Sequence, residues 1–238
     1  MYIPEAFAES RLAVLHAAIE VCGLAIFITA PDGAPTATHA PILLSPDEGP
    51  LGTLHFHIAR ANPQWRAIGS GSRALAIFPG PDGYISPSWY ASKAEHGRVV
   101  PTWNYVAVHA EGTPVVYEDS ERLLALVSRL TAHHETARAS PWQVADAPKP
   151  YIDGMLRAIV GVTMPITKLQ GAWKLGQNKN AMDRAGILAG FAEKGSAYIA
   201  LDKATRGAWT ETGAGGSSTE MAGGDGFVPP SLPSSNPK

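Results

Sequence analysis

Three observations predict a mainly β fold with helices (α+β), an antiparallel barrel of six or seven strands with helices packed outside it. Short runs rich in alternating apolar residues follow one another from Leu24 to Glu118, separated by turn residues. Helical spacing of apolar residues is confined to the start of the chain and to segments after Ser120. A late β-branched run, VGVTMPITKL, then supplies a closing strand. The 238 residues are 45% hydrophobic, enough for one sizeable core.

Taken in order, Leu12, Leu15, Ile19 and Cys22 recur at helical spacing after Ser10, and Gly23 closes a helix over Ser10 to Val21. LAIFITA and PTATHAPILL are joined through Asp32-Gly33, a hairpin dipeptide, and predict an antiparallel pair. TLHFHIA is a third strand. It runs into NPQWRAI, a short helix with Asn62 at its N-cap and Pro63 at its first position. RALAIFP and GYIS follow with Asp82-Gly83 as the turn between them, and TWNYVAVHAEG and PVVYE are separated by Gly112 and Thr113. Leu123, Val127, Leu130 and His134 mark a helix capped by Ser120 and ending near Thr136. YIDGMLRAI is helical, Asn178 to Phe191 forms a further helix, and Ser196 to Thr205 a weaker one. The main domain therefore spans residues 1–205. In the remaining 206–238, 16 of the 32 residues from Gly207 onward are Gly, Pro or Ser, which predicts a disordered tail containing the isolated aromatics Trp209 and Phe227.

Composition removes several classes. A net charge of -2 and a pI near 6.4 give no overall positive field, so a DNA partner is not supported by charge. One cysteine, Cys22, excludes an intramolecular disulfide and a four-cysteine zinc site, and is read as a buried inert thiol. No run approaches the roughly 20 apolar residues that span a bilayer, and no leader pattern opens the chain, which leaves a cytoplasmic location as the default expectation. No nucleophile elbow, P-loop, dinucleotide fingerprint or spaced acid pair appears, which disfavours hydrolases and phosphoryl transferases. His55 and His57 share a strand face, with His39 on a neighbouring strand; no Cys or carboxylate completes a familiar ligand spacing, and no metal is assigned. His133, His134 and Glu135 end a helix, where imidazole favours the negative end of the helix dipole.

The densest chemistry lies in ISPSWYASK and VPTWNY, which place two Trp and two Tyr beside Ser86, Ser88, Asn104 and Lys93. Together with ATHAPILL, HFHIARANPQW, LTAHHE, MLRAIVG and KLQGAWKLGQN, in that family's order from about Met1 to Phe191, these segments resemble the PaiB family of FMN-binding negative transcriptional regulators. That family is related to the pyridoxamine-phosphate-oxidase-like FMN-binding split barrels. The resemblance implies a split barrel, FMN as cofactor, and a homodimer holding the flavin between subunits.

The residues meet this on their own chemistry. Arg60, Asn62 and Gln64 lie where a strand runs into a helix start, a place that favours phosphate. Split-barrel enzymes usually carry Ser and Lys or Arg at the positions of Asn62 and Gln64, so weight shifts to Arg60, Arg66 or Lys174. Thr38 and His39 fall on the strand that runs beside the ring in such barrels. Ser86, Ser88, Trp89, Trp103 and Asn104 complete the pocket, and Trp173, Lys174 and Gln177 match the late segment that reaches the flavin from the second subunit. No catalytic residue is assigned. The expected function is an FMN-binding regulator of the PaiB type, acting on DNA or through a regulatory protein partner. An FMN-dependent NAD(P)H oxidoreductase and a haem-binding split barrel with His39, His55 or His57 on the iron are the alternatives.

Overall fold

The computed structural model describes residues 1–31, 33–68 and 71–213. Its strands are β1 (Ala8–Glu9), β2 (Ala25–Thr29), β3 (Thr36–Ala40), β4 (Leu43–Ser45), β5 (Thr53–Ala59), β6 (Ala74–Ile85), β7 (Thr102–Gly112), β8 (Val115–Tyr117) and β9 (Ile159–Lys174). The helices are α1 (Leu12–Cys22), α2 (Gln64–Ile68), α3 (Ser92–His96), α4 (Ser120–Glu135), α5 (Lys149–Arg157), α6 (Ala181–Lys194) and α7 (Ile199–Gly213). All pairings are antiparallel, in the order β3-β2-β6-β7-β9-β5-β4, with β1 and β8 also on β9. The sheet curls without closing, which is the split barrel.

The sixteen-residue β9 is what lets one sheet make two walls. Its first half pairs with β5 and β8, and its second half with β7, across a register shift at Glu111 and Gly112. Inside lie Phe27, Leu54, Phe56, Val108, Val162 and Met164, closed on one side by Leu15 and Ile19 of α1. Phe27 and Phe56 meet with ring centroids 4.8 Å apart. A second core, Ile85, Val106, Leu175, Ile187, Phe191 and Leu201, lies under α6 and α7.

Several local expectations are corrected. Asp82-Gly83 is not a turn: β6 is one continuous strand with a register shift between Pro79 and Asp82. Pro79 and Pro81 cannot donate to the ladder, so the strand bulges where the sequence signals a reversal. PTATHAPILL divides into β3 and β4, and β8 pairs with β9 rather than with β7. The cap of α4 is Asp119, whose carboxylate accepts from the Arg122 N–H at 2.8 Å, so Ser120 is already inside the helix. The first residues of the expected tail are helical instead: α7 continues to Gly213, and its Trp209 indole donates to the Leu175 carbonyl at 3.2 Å. Trp209 is thus part of the second core, and Phe227 lies outside the described residues, as does Asp32 of the first hairpin. Cys22 is half-buried, its thiol pushed up in pKa by burial.

Glu111 ties the β6, β7 and β9 ends together, accepting from Lys168 at 2.7 Å and Arg73 at 2.8 Å. The Lys168 hydrogen bond first, then the charges of Lys168 and Arg73, hold its carboxyl below the usual value of 4.5, against a smaller opposing effect of burial. A folded-state pKa below the unfolded one contributes stability above the unfolded value and loses it as pH falls through the folded one. Glu111→Gln should therefore lower the melting temperature at neutral pH, and the gap to the parent protein should close on acidification. A gap that stays constant into the acid range would remove Glu111 from the acid response.

Candidate functional site

The turn from β5 into α2 forms a polar latch against the edge of the sheet. Gln64, only 3% exposed, donates through its amide to Thr29 Oγ1 at 3.1 Å and the Thr36 carbonyl at 3.0 Å, with a longer contact to the Phe27 carbonyl. Its oxygen accepts from the Thr38 hydroxyl at 2.5 Å, and Thr38 in turn accepts from the Asn62 amide at 2.8 Å. The Asn62 carbonyl oxygen caps the Gln64 N–H at 3.0 Å. Thr38, Asn62 and Gln64, expected at the phosphate and ring edge of a flavin, are thus brought together in one network, with Gln64 buried and Thr38 and Asn62 half-buried.

Arg60 does something else. Its guanidinium donates to Glu118 and to the carbonyls of Arg157 at 2.7 Å and Ile159 at 3.1 Å. It is a strap between β5, β9 and the loop before α4, with its charge already matched. Arg66 sits on α2 over the Trp65 ring, its guanidinium carbon 4.9 Å from the centroid, exposed and with no ion pair among the described residues. Of the three cations considered for phosphate, Arg66 is the uncommitted one beside the latch. His39 is exposed on β3, opposite Ile26. Because β3 pairs only with β2 among the described residues, alternate backbone groups on its other side are open.

The second group of candidates surrounds the ends of β6, β7 and β9. Ser86 caps the 3-10 turn Pro87–Trp89, accepting from the Ser88 N–H at 3.2 Å, and Ser88 Oγ accepts from Lys93 at 3.1 Å. Trp103 is 55% exposed and meets Tyr84 edge to face at 6.2 Å. Trp173 is half-buried between the two cores. Gln177 folds back over the strand end, accepting from the Leu175 N–H at 2.9 Å and donating to the Trp173 carbonyl at 2.5 Å. Lys174 donates to Thr102 Oγ1 and to the Trp103 carbonyl, both at 2.5 Å. Burial, and then the charge of Lys179, lower its pKa. Asn104 is buried in the second core with an Nδ2 that has no partner among the described residues.

Within one chain these groups lie on different strands of the sheet. The ladder row of Thr38 runs through Phe27, Ala76 and Ala110 to Leu169, and Trp173 lies four residues further along β9. These are four strand steps along a sheet that curls, so that β3 also comes back close to β5, the strand that pairs with the first half of β9.

The histidines do not converge. His55 pairs with Glu48 at 2.7 Å, and His57 is half-buried with Nδ1 unpartnered among the described residues, its pKa lowered by burial. No cluster of three His, Cys, Asp or Glu suited to a metal occurs among the described residues. His133 and His134 stack edge to face at the end of α4. No described helix is long and apolar enough to cross a membrane.

Sequence reasoning missed two features. Gly186 and Gly190, one turn apart on α6, leave room for the backbone and indole of Trp89, and the i, i+4 glycines were the available signal. The other is a small cavity under the N-terminal segment, lined by Tyr2, Phe7, Tyr105 and Lys174 among others.

An open antiparallel barrel of this strand order, with β1 and β8 added on β9, is a split barrel. A family model described as "Putative FMN-binding domain" matches residues 1–168. The chain belongs to that FMN-binding family, the one that contains PaiB, and FMN is its cofactor. It is 32% identical over 194 residues to the Bacillus subtilis "Protease synthase and sporulation protein PAI 2", covering 79% of this chain and 87% of the relative. An uncharacterized protein of Aspergillus fumigatus is 34% identical, over 82% of this chain and 92% of its own. Among solved structures, the FAD and heme binding protein from Mycobacterium smegmatis superposes with a TM-score of 0.54 at 18% identity, over 78% of this chain and 80% of that one. The flavocytochrome Anf3 from Azotobacter vinelandii gives 0.53 at 14% identity over 75% of each chain. At those identities the likeness is one of fold.

The donor set fits FMN. Arg66 offers an unpaired cation for the phosphate, the open side of β3 offers backbone partners for the pyrimidine edge, and Trp103 with Tyr84 offers flat aromatic surface.

Proposed function

We propose that the protein is an FMN-binding homodimer of the PaiB type, a negative regulator of transcription that acts through the state of its flavin. The dimer reading is supported by the placement of the two residue groups on different parts of the sheet, one on β3 and the start of α2, the other at the ends of β7 and β9. Thr38, His39, Asn62 and Arg66 would take the phosphate and pyrimidine edge in one subunit, while Trp173, Lys174 and Gln177 of the other would close over the ring. Gln64 supports the first group from beneath, and Ser86, Ser88 and Trp103 border the second. Arg60 is left to its strap.

FMN supplies one- and two-electron redox chemistry, so the chain need only bind, orient and shield it. Direct reading of DNA has little support. The helices α6 and α7 are joined through a short turn at Gly195, as in helix-turn-helix pairs, yet Arg206 is spent on Asp202 at 2.9 Å and the pair carries acids and bases in balance. The name of the Bacillus subtilis relative ties that protein to protease synthesis and sporulation, which suits regulation without specifying its target.

A second reading, an FMN-dependent NAD(P)H oxidoreductase acting on a small acceptor, is favoured by the aromatic cavity beside Lys174. The haem alternative is weaker here, since His55 is held by Glu48 and His39 stands exposed on the edge strand.

The deciding experiment is FMN titration followed by absorbance, with the oligomeric state measured in parallel and NADPH then added without oxygen. The dimer reading expects one FMN per subunit and a dimer in the loaded protein. Bleaching by NADPH would move the assignment to the oxidoreductase, and persistence of the oxidised bands would favour the regulator. Arg66→Ala should weaken FMN about tenfold, as loss of one charge-assisted contact, and should leave riboflavin binding unchanged. Equal loss for both flavins would move the phosphate elsewhere.

A further inference from the structure

The N-terminal segment lies against the ends of β7 and β9 and forms with them a partly open pocket of about 190 Å³, lined by Tyr2, Ile3, Pro4, Phe7, Tyr105, Ala172 and Lys174, with Tyr2 itself largely exposed. Every wall but one is aromatic or aliphatic. The exception is the Lys174 ammonium, 5.9 Å from the Tyr105 ring centroid. Two of its three N–H groups are used, on Thr102 Oγ1 and the Trp103 carbonyl, and the third has no acceptor among the described residues. No carboxylate pairs with it among the described residues, and the charge that acts on it is another cation, Lys179. A half-buried ammonium without a counter-charge is costly unless an anion comes to it.

From this geometry we infer that the cavity binds a small planar aromatic carboxylate, its ring between Phe7 and Tyr105 and its carboxylate on Lys174. The size is that of one substituted ring. At ~30 Å³ per water the cavity equals about six waters, well under the roughly 300–1,000 Å³ of sites for larger ligands. A flavin nucleotide does not fit it. A phosphate dianion would call for several donors or an arginine fork, whereas one ammonium with one free N–H suits a monoanion. The aromatic walls then select a flat ring over a bare ion. The inference rests on the flavoprotein reading only for what the ligand does, as effector or acceptor beside the flavin, and not for its binding.

The test is isothermal titration of the full chain, FMN-free and FMN-saturated, with benzoate, benzamide and sulfate as probes. Benzoate should bind at least roughly tenfold more tightly than neutral benzamide and than sulfate, the ratio expected when a charged hydrogen bond is lost. Lys174→Met should abolish that preference, and Lys174→Arg should retain part of it. Equal binding of benzoate and benzamide would overturn the anion site, and sulfate binding as tightly as benzoate would overturn the planar ligand. Absence of benzoate binding at millimolar concentration in folded, FMN-loaded protein would overturn both. These comparisons on the unmodified chain stand even if Lys174→Met fails to fold. Benzoate binding in a protein that takes up no FMN would sink the flavin assignment and leave this one in place.

Discussion

Gly190→Val should destabilise the protein by about 3 kcal/mol or more, a fall in melting temperature of roughly 6–12 °C for a chain of this size. The reason is the approach of Trp89 to α6. A Cβ on Gly190 would lie 2.2 Å from the nearest indole carbon of Trp89, and one on Gly186 would lie 1.8 Å from the Trp89 carbonyl oxygen. Trp89 stands edge to face with Phe191 at 6.1 Å and with Tyr198 at 6.3 Å, so it cannot give way without breaking both contacts. Nor can α6 lift off freely. Its buried Asp183 accepts from the Ser92 N–H at 3.0 Å and the Ser92 hydroxyl at 2.8 Å, pinning the helix to α3. Gly207→Ala on α7 is the control, since its added Cβ meets nothing within 4 Å and the change should be neutral or slightly stabilising. Thermal unfolding of the two variants followed by far-UV circular dichroism checks this. Similar losses for both would mean that glycine matters here through the backbone and not through Trp89. Because Ser86 and Ser88 precede Trp89 on the same short turn, the Gly190 variant should also weaken flavin binding if those serines border the site.

What the sequence made legible follows from where the information is local. Strand runs such as TLHFHIA and the capped start at Asn62 are specified by neighbours within a few residues, and the structure places them as expected. The β6 bulge was misread because two prolines and Asp82-Gly83 carry the same local signal in a hairpin and in an interrupted strand, and only pairing with β7 separates the two. The end of α7 is hidden in the sequence because the Gly, Pro and Ser content from Gly207 onward is averaged over 32 residues, while the contact of Trp209 with the Leu175 carbonyl is tertiary. The latch was half visible. Thr38, Asn62 and Gln64 were picked for a ligand, yet their mutual hydrogen bonds cross 24 to 26 residues of sequence and leave no pattern in it. Arg60 shows the same limit more sharply: its identity suggests phosphate, but Glu118 and two carbonyls reach it from 58 to 99 residues away.

Replacement of Gln64 by Leu should cost about 3 kcal/mol and weaken FMN together with the fold. Leucine keeps the volume but removes every polar contact of the side chain, and of the partners Thr29 is itself buried while Thr36 and Thr38 lie toward the surface. Thr29, 3% exposed, loses the donor to its hydroxyl, and the Thr36 carbonyl loses its own. Each such orphan costs about 1–3 kcal/mol when water cannot replace the lost partner. Thr38 and Asn62 would then be free to rotate, so FMN affinity should fall at temperatures where the variant is still fully folded. Gln64→Glu separates the polar contribution from shape. A carboxylate at this buried position loses the amide donors and places a charge against the Thr36 carbonyl, which raises its folded-state pKa above the unfolded value. The sign is opposite to that of Glu111: such a group is best tolerated below its unfolded pKa and becomes more damaging as pH rises through the folded one. Gln64→Glu should therefore be less stable than Gln64→Leu at neutral pH and gain on it in mild acid, as the protonated carboxyl recovers a donor. Melting curves of both variants across that range, with FMN affinity measured well below each transition, carry the test. Identical pH profiles would show that the latch is packing alone, and unchanged FMN affinity in both would place the phosphate away from Thr38 and Asn62.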